Sequence, residues 1–121
     1  MACFASVGSV VRFGAGTTAL GRDTLDNHLY VIVEGVASTG DGSGLSAVLG
    51  PGDCFGEAGF LRGDKSEYDV DVMTDIVALR VRASDVQALP EADQLAHYQM
   101  IANSIATRQQ KAEDLLLDLA L

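Results

Sequence analysis

Residues 50–57 read GPGDCFGE and carry the most informative pattern in this chain of 121 residues. Their first half, GPGD, has the composition of a tight turn, because glycine and proline favour the backbone angles that turns require. Phe55, the large apolar residue of the second half, is expected in the core, and a Gly-Glu pair follows it. The octapeptide therefore predicts a turn between strands.

Four short runs rich in β-branched and aromatic residues precede the octapeptide and predict strands. They span residues 10–13, 29–33, 36–39 and 45–49. Glycines follow the first two runs, and the glycine-rich residues 40–44 separate the last two. That composition predicts a hairpin between the last two strands.

Two further strands are predicted after the octapeptide. Apolar residues alternate with aspartates over residues 68–72 and with arginines over residues 77–82, which is the period of a strand with one buried face. A turn is expected at residues 74–75 between them. A hairpin centred on that turn would place Asp69 opposite Arg80, a favourable surface pair.

The sequence changes character at Ser84, where the alternation ends. Ser84 has the side chain of a helix N-cap, and a short helix is predicted from it to Leu89. Pro90 suits the first position of a second helix, and neither glycine nor proline occurs from there to Leu121. The sequence therefore predicts a short helix followed by one long C-terminal helix.

Many short strands followed by helices are typical of a mainly β fold with C-terminal helices. We predict an antiparallel, jelly-roll-like β-roll in residues 1–83, with its strands between residues 10 and 82, and a helical segment in residues 84–121. A chain of 121 residues buries one core but has no room for a second, so a single domain is expected.

Four segments of the sequence resemble the cyclic-nucleotide-binding domain family, in the order and spacing of that family. Residues 50–57 are similar to the G-D-x-F-G-E signature that opens its phosphate-binding cassette. Residues 29–35 resemble its strand ending in Glu-Gly, residues 11–16 its earlier strand and glycine turn, and residues 70–82 its paired strands after the cassette. The resemblance covers residues 9–110 and implies a β-roll like that of catabolite activator protein-type regulators.

The resemblance also implies a ligand site in a cassette that spans residues 50–70. In the family, backbone N–H groups bind a cyclic phosphate, a glutamate accepts a hydrogen bond from the ribose, and an arginine pairs with the phosphate. Glu57 matches the ribose acceptor by position, although a carboxylate there also suits the N-terminus of a helical turn. The candidate ligand-binding residues are Gly56, Glu57, Ala58, Ser66 and Glu67.

The arginine of the cassette is replaced in this chain, because its position falls on Ser66 or Glu67. Arg62 and Lys65 are the nearby cations that could substitute for it. One hypothesis is a regulatory module with a degenerate site, which binds cyclic AMP or cyclic GMP weakly or not at all and works through protein contacts. The alternative is a sensor of a cyclic nucleotide or another small ligand that uses Glu57 with Arg62 or Lys65.

The charge balance limits the classes of partner. Eight Lys and Arg against 17 Asp and Glu give a net charge of −9, which argues against nucleic acid and against an anionic membrane surface. The first 20 residues fit neither a signal peptide nor a membrane span. Cys3 and Cys54 form neither a disulfide framework nor a metal-ligand spacing, so a cytoplasmic location without a metal is predicted.

Two enzyme-like readings fit the sequence less well. Gly14 and Glu34 have the spacing of a dinucleotide-binding fingerprint, but the residues between them form a poor helix and no further βαβ unit follows. A metal-binding cupin barrel needs clustered histidines, whereas His28 and His97 are the only two and His97 falls on the C-terminal helix. No nucleophile with a credible base can be assembled, so we predict that the chain is not an enzyme.

The long helix carries an apolar heptad pattern that predicts a homodimer. A parallel pair of such helices would cover a stripe that a β-roll alone is too short to bury. Arg108 interrupts the pattern and would weaken the pair. The predicted dimer residues are Tyr98, Ile101, Ile105, Ala112, Leu115 and Leu119.

Overall fold

The computed structural model describes the backbone of residues 7–41 and 46–120, and side chains within these ranges as far as residue 106. The strands in these ranges are β1 (Ser9–Phe13), β2 (Thr18–Leu20), β3 (His28–Glu34), β4 (Ala37–Gly40), β5 (Ser46–Leu49), β6 (Cys54–Phe55), β7 (Asp69–Val72) and β8 (Ile76–Arg82). The helices in these ranges are α1 (Glu57–Arg62), α2 (Ala83–Gln87) and α3 (Glu91–Ala120).

The strands form two four-stranded sheets. The first sheet has the order β1, β8, β3, β6, and the second has the order β2, β7, β4, β5. Neighbouring strands are antiparallel in both sheets. This arrangement confirms the prediction of a mainly β, antiparallel roll with C-terminal helices.

The first sheet is covered on both faces, which explains why β3 is almost continuously apolar. Tyr30 and Ile32 point into an inter-sheet core between the two sheets, while Leu29 and Val31 point into a helix-side core. The inter-sheet core consists of Leu20, Tyr30, Ile32, Ala37, Leu49, Phe55, Val70, Val72, Ile76 and Ala78. The helix-side core consists of Leu29, Val31, Cys54, Phe60, Val81, Val86 and Ile101.

The predicted hairpin between residues 68–72 and 77–82 is wrong, because β7 and β8 belong to different sheets. Asp69 pairs with Gly40 of β4, and Arg80 pairs with Ser9 and Tyr30 in the first sheet. β7 carries aspartates on one face and therefore suits a sheet with a solvent-facing side. β8 carries apolar residues on both faces and therefore lies inside the sheet that is covered twice.

The helices follow the predicted order. α2 begins at Ala83, one residue before the predicted N-cap Ser84, and Arg82 occupies the cap position without a side-chain hydrogen bond. α3 runs for 30 residues from Glu91, as one long helix. It packs on the first sheet near β6, where the Cys54 amide donates to Ser104 Oγ at 3.2 Å. Among the helices in the described part of the chain, none is long and apolar enough to span a membrane.

The predicted dimer residues divide into two groups along α3. Ile101 is 1% exposed and belongs to the helix-side core, and Tyr98 and Ile105 are half-buried against that core. The N-terminal half of α3 therefore uses these heptad residues to pack on its own roll. The side chains of the remaining three, Ala112, Leu115 and Leu119, lie outside the described residues, so the dimer stays a prediction.

Candidate functional site

The cassette begins where β6 ends, and two glycines hold it against the segment that leads into β3. Gly56 has a φ of 84°, and a side chain there would come within 2.6 Å of the His28 carbonyl oxygen. A side chain at Gly59 would overlap the carbonyl oxygen of Asp26. Only glycine permits this approach, so α1 is packed directly onto the residues before β3.

Glu57 lies in the first turn of α1, and its carboxylate accepts a hydrogen bond from Tyr68. The Tyr68 hydroxyl lies 2.9 and 3.0 Å from the two carboxylate oxygens of Glu57, and it donates its proton to this group. A hydrogen bond to a charged acceptor is among the stronger polar contacts in proteins. The oxygens that would accept from a ribose hydroxyl are therefore engaged within the chain.

Ser66 is buried and fixes the loop between α1 and β7. Its hydroxyl donates to the Tyr68 carbonyl at 2.7 Å, and its own backbone bonds with Thr24 and Asp23 tie the loop to the segment before β3. The side chain is 7% exposed, so it has little room for a larger residue. Ser66 therefore acts in this structure as a fixed point of the cassette.

The candidate cations lie on the surface. Arg62 Nε is 3.0 Å from Asp64 Oδ2, and the two side chains are 64% and 59% exposed. Lys65 and Glu67 are also exposed, and Ala58 is half-buried. The structure thus brings Glu57, Ser66 and Tyr68 together but leaves Arg62 and Lys65 at the edge.

The cassette encloses a cavity of about 10 Å³, which we call the cassette cavity. That volume accommodates about one water molecule. Asp26, Asp64, Ser66 and Tyr68 are among the residues that line it, and no Lys or Arg of the described part of the chain does so. The cassette cavity is therefore both small and bordered by carboxylates.

A polar cluster before β3 was not anticipated from the sequence. Asp26 accepts hydrogen bonds from the His28 amide at 2.9 Å, from His28 Nδ1 at 2.7 Å and from the Tyr30 hydroxyl at 2.7 Å. Burial alone would raise the pKa of Asp26, but the hydrogen bonds from Tyr30 and His28 outweigh it and leave this pKa below its ordinary value. The spacing of Asp26, His28 and Tyr30, at every second position where the chain enters β3, was the available signal.

Burial also raises the pKa of the Tyr30 hydroxyl, and its hydrogen bond to the Asp26 carboxylate raises it further. The tyrosine therefore stays protonated and donates to an ionised aspartate. An ionised carboxylate can only accept hydrogen bonds, so His28 Nδ1 is the donor in its hydrogen bond with Asp26. In the described residues, no group of three or more His, Cys, Asp or Glu side chains is arranged to hold a metal ion.

One family model and several solved structures match this chain. The model described as the cyclic nucleotide-binding domain matches residues 10–93. A structure from work on a cyclic-GMP-dependent signalling pathway that regulates bacterial phytopathogenesis is 27% identical, covers 88% of each chain and superposes with a TM-score of 0.76. A search of curated proteins finds no match.

Two other structures share the fold at lower identity. The catabolite activator protein of Thermus thermophilus is 24% identical with a TM-score of 0.66, and the match covers 95% of this chain but 55% of that one. The c-di-GMP-responsive global regulator CLP of Xanthomonas campestris is 18% identical with a TM-score of 0.80. That match covers 99% of this chain and 63% of the regulator. This chain thus spans little more than half the length of these two regulators.

Proposed function

Because the chain belongs to the cyclic nucleotide-binding domain family, we propose that it is a regulatory module that works through protein contacts and binds cyclic nucleotides weakly or not at all. The observation that carries this proposal is the hydrogen bond between Tyr68 and Glu57. It engages the ribose acceptor of the cassette with a side chain of the protein itself. We also propose that the module is not an enzyme.

Steric considerations support the proposal. The cassette cavity holds about one water, so a nucleotide would have to displace Tyr68 and move the loop that Ser66 fixes. Breaking a hydrogen bond to a charged group costs about 1.5–3 kcal/mol. A ligand would therefore need to recover this energy before it gained any net affinity.

Electrostatics act in the same direction. A cyclic phosphate is an anion, and Asp26 and Asp64 border the cavity that would receive it. Like charges at partly buried separations repel by about 1–4 kcal/mol. Ser66 and Glu67, which stand where the family has its arginine, supply no positive charge to offset this repulsion.

The alternative function, a sensor that recruits Arg62, has one observation in its favour. The ion pair between Arg62 and Asp64 is exposed, and exposed pairs contribute little stability. Arg62 could therefore leave Asp64 at little cost and turn toward a phosphate. Lys65, also exposed, is the second cation available to such a sensor.

Calorimetric titration with cyclic AMP and with cyclic GMP tests the proposal. We expect a Kd weaker than about 100 μM for both, since loss of an arginine–phosphate pair typically costs 2–5 kcal/mol. A low-micromolar Kd would overturn the proposal. In that case Arg62→Ala and Lys65→Ala would identify the substitute cation by the loss of binding.

The remaining parts of the proposal concern partners and location. The net charge of −9 disfavours nucleic acid and membrane surfaces as partners. We propose that the chain forms a homodimer through the C-terminal half of α3. We also propose that the module acts by binding a protein partner. We propose a cytoplasmic location, which the scarcity of cysteines supports.

A further inference from the structure

A second cavity lies against α1, and we call it the α1–α2 cleft. Its volume is about 560 Å³, and it is lined by the residues just before and at the start of β3, by α1 and Gly63, by the end of β8 and by α2. Gly59 lines both this cleft and the cassette cavity. A volume of this size is typical of sites for small molecules.

The charge of the cleft is opposite to that of the cassette cavity. Arg82 lines it, and among the described residues its lining includes no Asp or Glu, although the chain as a whole carries a net charge of −9. Within the described residues Arg82 forms no ion pair, even though Asp85 lies only three positions away. A cation left unpaired in an acidic protein is available to an anion from solution.

Hydrogen-bonding groups surround Arg82. Asn27, Ser84 and Gln87 line the cleft together with His28. Asp26 accepts a hydrogen bond from His28 Nδ1 and so fixes this side chain at the edge of the cleft. The side chains of Asn27, Ser84 and Gln87 are exposed and can therefore be reached by a ligand.

We propose that the α1–α2 cleft binds a small hydroxylated organic anion. Its carboxylate or phosphate would pair with the Arg82 guanidinium, whose planar geometry suits both groups. Its hydroxyl groups would bond with the exposed side chains of Asn27, Ser84 and Gln87, which line the cleft. This proposal does not depend on whether the cassette binds a nucleotide, because the two cavities have different linings.

NMR titration of the full ¹⁵N-labelled chain tests the proposal residue by residue. The probes are lactate for the carboxylate source, glycerol 3-phosphate for the phosphate source and inorganic phosphate for the anion alone. We expect saturable shifts in residues 27–28, 59–63 and 82–87 with at least one organic probe, at a Kd of about 1 mM for so small a ligand. Arg82→Gln should weaken this binding by at least about tenfold.

Arg12→Gln is the matched control. Arg12 lies on β1 of the same sheet, it is also exposed, and it does not line the cleft. The control removes the same charge and should leave the Kd within about twofold of the wild type, since rim charges contribute little. Two results would overturn the proposal: no saturable shift at these residues up to about 20 mM of any organic probe, or equal weakening by both substitutions.

Discussion

The cassette cavity and the α1–α2 cleft share Gly59, yet they differ in size and in charge. The cassette cavity measures about 10 Å³ and is bordered by Asp26 and Asp64. The cleft measures about 560 Å³ and is bordered by Arg82, with no Asp or Glu from residues 7–41 or 46–106 in its lining. The family motif and the positive charge are therefore found in different places of this molecule.

This difference shows why a motif alone does not establish a ligand. GPGDCFGE produces the backbone of the cassette, because glycines allow α1 to pack against the residues before β3. Binding of an anion depends on charges that the motif does not contain. A positive charge is absent at Ser66 and Glu67, downstream of the motif, and is present at Arg82 on another strand.

The largest expected effect comes from the residue that the two cavities share. Gly59→Ala would place a methyl group on the carbonyl oxygen of Asp26, and because backbone lies on both sides the strain cannot be relieved by a side chain. We expect the free energy of unfolding to fall by about 3 kcal/mol, measured by urea denaturation. Gly50→Ala, where the added methyl would meet nothing within 4 Å, should change it by less than about 0.5 kcal/mol. Equal effects of both substitutions would contradict the tight packing of α1.

The next effect concerns Asp26, which lines the cassette cavity. Asp26→Asn weakens the acceptor for His28 and Tyr30, and we expect a loss of about 2 kcal/mol in the free energy of unfolding at neutral pH. Asp23→Asn makes the same chemical change in the same loop at an exposed residue and should cost less than about 0.5 kcal/mol. A neutral Asp26→Asn variant would show that the cluster does not stabilise the fold.

The pH dependence of that effect has a definite sign. The pKa of Asp26 is lowered in the folded state, so its contribution is complete above the unfolded value of 3.8 and is lost as the pH falls through the folded value. The stability difference between the wild type and Asp26→Asn should therefore shrink below about pH 3.8. Denaturation curves at pH 7 and at pH 3 would measure it.

The smallest expected effect is a gain in affinity for cyclic AMP. It comes from substitutions that give the cassette a positive charge and more space, as the cleft has. Glu67→Arg with Tyr68→Ala adds a cation at an exposed position and removes the ring, and we expect cyclic AMP to bind at least about tenfold more tightly than to the wild type by calorimetry. Glu67→Arg with Tyr68→Phe, which frees Glu57 but keeps the ring, separates the role of the hydroxyl from that of the volume. No gain in either variant would point to Asp26 and Asp64 as the groups that exclude the nucleotide.

Much of the fold could be predicted because apolar alternation reports which residues are buried. The alternation predicted most strands and the long helix. It shows which face of a strand is buried, but it does not show to which sheet the strand belongs. β7 and β8 were therefore paired wrongly. β2 and β6, with three and two residues, are too short to show any period.

The candidate site was harder to predict for a related reason. The resemblance indicated Glu57 and the missing arginine, both of which lie in one continuous segment. The Tyr68 contact with Glu57, the Asp26 cluster and the cleft at Arg82 all depend on which loops meet in space. Residues that meet in this way leave no local pattern in the sequence.

The pairing of β1 with β8 has a consequence for how the chain is made. Ser9 pairs with Arg80, about seventy positions later, so on a ribosome that adds about 5–20 residues per second the first strand emerges about 4–14 s before its partner. During that interval β1 exposes an open edge that could pair with other chains. β1 is only five residues long and carries the exposed Arg12, and both features disfavour pairing with other chains. The strand can therefore remain unpaired during this interval with a low risk of aggregation.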